Sequence, residues 1–146
     1  MHYEEFIGRV QERAALSDRQ SSERAVWAVL STLAERLPDG TAEHLAAQLP
    51  RGAAVPLREV IVSDEGSSPR EREVARWRGE RFDLTTFAGR VAWRDATSQE
   101  RAAYRTAAVV EVLDAAVAPE LMRKLEDVLP ADIREVLPSA RVRDAE

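Results

Sequence analysis

Cysteine is absent, which excludes disulfides, thiolate metal sites and cysteine nucleophiles. Lysine is almost as scarce: Lys124 is the only one, and arginine carries the rest of the 21 positive charges. Histidine is confined to His2 and His44. A metal site needs several convergent ligands, so neither a metal nor another cofactor is expected. Aromatic residues make up only 5%, and Ala, Val and Leu supply most of the apolar content. That balance suits helix-on-helix packing better than strands rich in Tyr, Phe and Thr. No 18 apolar residues follow one another, and Met1-His2-Tyr3-Glu4-Glu5 has no basic region leading into an apolar run. The expectation is therefore a cytoplasmic protein without a membrane span. The chain has no Gly-rich phosphate loop after a strand, no nucleophile elbow, no paired histidines at helical spacing and no calcium-loop pattern. Its carboxylates are scattered without the spacing of a two-carboxylate site, and the chain reads as a non-enzyme.

What is present is enough to fold. Of 146 residues, 45% are hydrophobic and 32% charged, far from the composition of disorder. The 26 acids against 21 bases give a net charge of −5, which argues against a dedicated binder of nucleic acid or anionic membrane. The most informative feature is an echo. Phe6-Ile7-Gly8-Arg9-Val10 returns as Phe87-Ala88-Gly89-Arg90-Val91, 81 residues on. Leu33, Leu45, Leu49-Pro50 and Leu57 then return 80 residues on as Leu113, Leu125, Leu129-Pro130 and Leu137. A unit of about 50 residues is near the lower limit for an independent core, so two such units are expected to lean on each other. The predicted fold is all-α: two tandem copies of a three-to-four-helix unit packed as a pseudo-symmetric bundle. Residues 1–62 form the first copy, 63–81 a linker with a short Arg-rich helix, 82–138 the second copy, and 139–146 a frayed tail.

Tyr3, Phe6, Ile7, Val10 and Ala14 line one face of a first helix ending near Ala15. Ser17-Asp18-Arg19-Gln20 reads as a capping box, and Thr97-Ser98-Gln99-Glu100 repeats it. Long helices follow over 17–37 and 98–117. The stripe on the first is Val26 or Trp27, Leu30, Leu33 and Leu37, with Val29 at its margin. Trp27 and Trp93 are expected to be core or half-buried anchors. Pro38-Asp39-Gly40 reads as a turn and Thr41 as the cap of a short helix burying Leu45 and Leu49. Gly52 and Pro56 leave residues 51–62 open between helix and extended chain. In the second copy Asp83 caps a helix, Pro119 suits the first turn of another, and a last short helix spans 131–137.

Tyr3-Glu4-Glu5-Phe6, the cap at Ser17, Leu33-Ala34-Glu35-Arg36-Leu37-Pro38 and Ala42-Glu43-His44-Leu45-Ala46-Ala47-Gln48-Leu49-Pro50 together resemble the bacterial domain-of-unknown-function family numbered 2267. The resemblance is close from Tyr3 to Pro50 and looser over 82–137. It implies an all-helical, duplicated cytoplasmic protein, and it brings no catalytic motif or functional residue.

The candidate contact residues are Arg9, Arg90, Arg76, Trp77 and Arg78. Arg9 has Glu5 one helical turn before it, whereas Thr86 stands one turn before Arg90, so Arg90 needs a partner from elsewhere in the fold. The neighbouring Gly8 and Gly89 suggest a close approach of another backbone. His44 reads as an exposed helix residue, since Lys124 stands in the matching place. The favoured role is a protein-interaction or adaptor module whose partner, an unidentified protein, enters a groove between the copies. The chain is expected to be a monomer or a homodimer. The alternative is nucleic-acid association through residues 70–81, where five Arg and three Glu surround Trp77. That alternative makes a direct prediction: nucleic-acid affinity falls steeply as salt rises and vanishes when Arg76 and Arg78 become Ala, as read by fluorescence anisotropy. Absence of binding at every salt concentration removes it.

Overall fold

The computed structural model describes residues 1–37, 39–63 and 84–128, and these form seven α-helices and no strand. They are α1 (Tyr3–Arg13), α2 (Arg19–Arg36), α3 (Asp39–Gln48), α4 (Arg51–Ser63), α5 (Leu84–Asp95), α6 (Gln99–Ala116) and α7 (Pro119–Val128). The predicted Arg-rich linker helix, the Asp83 cap, the helix over 131–137 and the tail lie outside the described residues.

α1 and α5 bury the same stretch of the echoed motif. Phe6, Ile7 and Val10 are buried in α1, and Phe87, Ala88 and Val91 in α5. Both helices stop in the same way. Leu16 N–H donates to Gln11 C=O at 2.9 Å, and Thr97 N–H donates to Ala92 C=O at 3.0 Å. This six-to-one bond closes a helix on a residue of left-handed conformation. That residue is alanine in both places, with φ of 52° at Ala15 and 54° at Ala96. A Cβ in that region opposes the fold by about 1 kcal/mol, a cost glycine would not carry.

The following caps sit one residue later than predicted. Asp18, not Ser17, caps α2 by accepting the Ser21 N–H at 2.7 Å, and Ser98, not Thr97, accepts the Arg101 N–H at 3.2 Å. At the second site the reason is local, because Thr97 already closes the preceding helix. At the first, the Asp18 carboxylate is the stronger acceptor at the positive end of the helix dipole. The Ser21 N–H holds this carboxyl below its ordinary range. The connection after Ala96 is one residue shorter than that after Ala15, which accounts for the change in spacing of the echo from 81 to 80.

α2 is where the single-stripe expectation fails. From Ala25 to Ala34 every residue except Trp27 is buried, and Val29 is fully so. The reason is that α2 packs against α1, α4, α5 and α6 at once. Its Ala, Ser and Thr positions let those neighbours come close on several sides. Thr32 and Ser22 meet their own needs by donating to Ala28 C=O and Ile7 C=O, each at 2.7 Å. Of the two tryptophans expected in the core or half-buried, Trp93 is 84% exposed and Trp27, outside the core, 41%.

Asp39 and Gly40 belong to the first turn of α3, so Thr41 is not its cap. Residues 51–63 are helical throughout, with Pro56 inside α4 and buried. Pro56 brings no N–H to Gly52 C=O, the acceptor four residues before it, and the helix continues past it to Ser63. Gly52 itself is needed, because a Cβ there would stand 2.8 Å from the Tyr3 ring. Burial and the Glu23 carboxylate push the Tyr3 phenol above its ordinary pKa. Gly8 and Gly89 correct another expectation, since a Cβ at either meets nothing within 4 Å. α7 begins with Pro119 as predicted and buries Leu121, Met122 and Leu125.

Opposite exchanges should therefore both stabilise the protein. Gly8→Ala removes a helix-interior glycine with open space around it, and Ala15→Gly relieves a left-handed alanine. Each is expected to add about 1 kcal/mol, read as a rise of roughly 3 °C in thermal midpoint, whereas Gly52→Ala lowers it.

Candidate functional site

Two polar seams and one cleft lie where the helices of the first half, α1 to α4, meet those of the second, α5 to α7. The deeper seam is built on Asp95 at the end of α5. Its side chain is 0% exposed and is held by Arg105 of α6 at 2.5 Å and by Arg24 of α2 at 3.3 Å. A buried carboxylate persists only with its charge matched and its lone pairs occupied, and two guanidinium groups from different helices do both. In the second seam Glu35 of α2 pairs with Arg94 and, at 3.4 Å, with Arg90. Arg94 also donates to the buried Thr32 hydroxyl at 2.7 Å.

Arg9 and Arg90 occupy echoed positions and have different partners. Arg9 keeps Glu5 of its own helix at 2.7 Å and is half-exposed, whereas Arg90 reaches Glu35 across the molecule. Their surroundings explain the split. Thr86 stands where Glu5 stands in the first half, and Ala115 stands where Glu35 does. Arg9 therefore takes the carboxylate of its own helix, and Arg90 takes the one on α2 of the other half. Arg76, Trp77 and Arg78 lie outside the described residues. His44 is exposed and meets Gln48 at 3.4 Å, and among the described residues no three metal-ligating side chains converge.

The cleft has a volume of about 880 Å³ and opens between the α1–α2 connection and the first two turns of α6. Alanines 14, 103 and 107 give it a small-residue lining, with Leu16 beside them. Ser17, Ser21, Ser98, Tyr104, Glu100, Arg101 and Arg105 surround these with hydroxyls, one carboxylate and two guanidiniums. Tyr104 is 60% exposed, and its O–H donates to Arg13 C=O at 3.3 Å, so the ring is anchored at its far end. Arg13 is tied in turn to Glu111 of α6 at 2.8 Å. Neither Arg9 nor Arg90 lines this cleft.

A family model described as an uncharacterized conserved protein, DUF2267, matches residues 3–136 and so spans all seven helices. The chain belongs to the DUF2267 family. No curated protein matches it. This DUF2267 chain has no helix, among its described residues, long and apolar enough to cross a membrane. Inspection of the sequence missed both the Asp95 clasp and the cleft. The clasp joins residues 71 and 10 positions apart, with no local spacing to betray it. The cleft did leave a trace, since Ala103 and Ala107 stand 80 residues after Glu23 and Trp27.

The clasp predicts an order of damage. Asp95→Ala strands the mostly buried Arg105 and should cost about 3 kcal/mol, while Arg24→Ala removes only a half-exposed partner and should cost about 1 kcal/mol or less. Urea midpoints of the two variants check the order.

Proposed function

We propose that this DUF2267 protein is a non-enzymatic, cytoplasmic interaction module in which two copies of one helical unit form a single body and the cleft between them receives a protein segment. The support for duplication is position-specific. α2 and α6 both have 18 residues and α3 and α7 both have 10, in the same order after α1 and α5. The capping residues Asp18 and Ser98 stand 80 residues apart, in the register of the long helices, and the left-handed Ala15 and Ala96 stand 81 apart, in the register of the motif before them.

The observation that carries the docking role is the cleft itself. It combines small apolar side chains with exposed polar groups and an aromatic ring fixed at one end, which is how a surface accepts a partner's anchor residue. Chemistry is poorly served there. Among the lining residues the ionisable groups are Glu100, Arg101, Tyr104 and Arg105, and Arg105 is committed to Asp95.

The test is a photo-crosslinking amino acid at position 104 of the full chain, used in the native cell, with position 59 on α4 as control. A defined protein adduct formed from position 104 alone, and lost when Ala103→Arg fills the cleft without lowering the thermal midpoint, is the expected result. An adduct that survives Ala103→Arg, or none above the control, overturns the proposal.

A further inference from the structure

The two long helices differ where the cleft lies. Read in the register of 80 residues, Trp27 on α2 stands at the place of Ala107 on α6, and Glu23 at the place of Ala103. On α2 the indole covers more than half of its own surface, since only 41% remains exposed. On α6 two alanines leave about 880 Å³ open beside the α1–α2 connection. The first half thus carries a partly covered indole at this position, and the second half has alanine there. We propose that the cleft takes an aromatic side chain from an acidic segment of a partner protein. This deepens the docking role above and rests on it.

Charge decides the flanks of that segment. The chain carries −5 overall, yet the cleft is lined by Arg101 and Arg105 against Glu100 alone. Arg105 is matched by Asp95, and Arg24, the second cation of the clasp, does not line the cleft, so Arg101 is the cation this opening offers. Arg101 is exposed, its backbone N–H donates to the Ser98 hydroxyl, and among the described residues its side chain has no carboxylate partner. Carboxylates beside the aromatic residue are matched at this opening, whereas flanking lysines are repelled. The aromatic ring supplies most of the buried area, about 150–250 Å² when fully covered.

The probe is an N-acetylated, C-amidated Glu-Trp-Glu tripeptide titrated into the isotope-labelled full chain and followed by amide shifts. Saturable shifts at Ala15, Ser17, Ser98, Ala103 and Ala107 are expected, with a dissociation constant near 1 mM. Replacing the peptide's Trp by Ala should weaken binding roughly tenfold or more. Ala107→Trp in the protein should abolish the shifts by supplying the missing indole, and Arg101→Glu should reverse the preference in favour of Lys-Trp-Lys. Shifts that persist in Ala107→Trp, or equal binding of the Lys-Trp-Lys peptide to the unaltered protein, overturn the proposal. So does the appearance of the same shifts on raising protein concentration alone, which assigns the cleft to a second copy. No shift with the peptide while the position-104 adduct is retained overturns the aromatic anchor and leaves the docking role standing; loss of both removes the docking role as well.

Discussion

One apolar core has to serve both halves of this chain, and the rest of the architecture answers to that constraint. Phe6, Val10 and Leu30 belong to the same buried cluster as Phe87, Val109 and Leu113. α2 is the clearest expression of it, because a helix buried on nearly every side cannot be satisfied by the helices of its own half. It needs α5 and α6 as well as α1 and α4. Each large side chain buried there contributes about 1.5–3 kcal/mol, so separating the halves would expose more apolar surface than a unit of about 50 residues could spare.

Charge is placed by the same geometry. Bringing α5 across α2 buries the end of α5, and Asp95 is tolerated there only because Arg24 and Arg105 arrive from two other helices. Glu35 works in the same way, gathering Arg90 and Arg94 onto α2. Buried ion pairs of this kind add little net stability but penalise any packing that leaves a charge unmatched. They favour one relative placement of the halves. The contact between α1 and α6 has the Arg13–Glu111 pair and the Tyr104 hydroxyl, and the open cleft lies there, with Arg105 shared between its lining and the Asp95 clasp. Adjoining parts of the junction thus differ in kind: one is closed by matched charge, the other lined by alanine and left open.

Much of the secondary structure was legible residue by residue. The faces of α1 and α5, the position of Pro119 at the head of α7 and the apolar positions of α3 all follow from helical spacing. Capping of the two long helices was readable to within one residue, the second because Thr97 already closes the helix before it, whereas Thr41 lies inside α3. Burial around α2 was not readable, because periodicity assigns one wet face to any helix and cannot count its neighbours. Trp93 was misplaced for a related reason: composition places large aromatics inside, but only packing shows which helix face is already full.

Taken alone, the sequence determined that this DUF2267 chain is helical, which residues α1 and α5 bury, and that its two parts share a pattern, because those properties depend on contacts within a few residues. The tertiary structure alone decided that α2 is enclosed, that Asp95 is buried between two arginines, and that Ala103 and Ala107 border an open cleft. Those outcomes depend on which surfaces meet across some 70–90 residues of chain, and no local spacing records that.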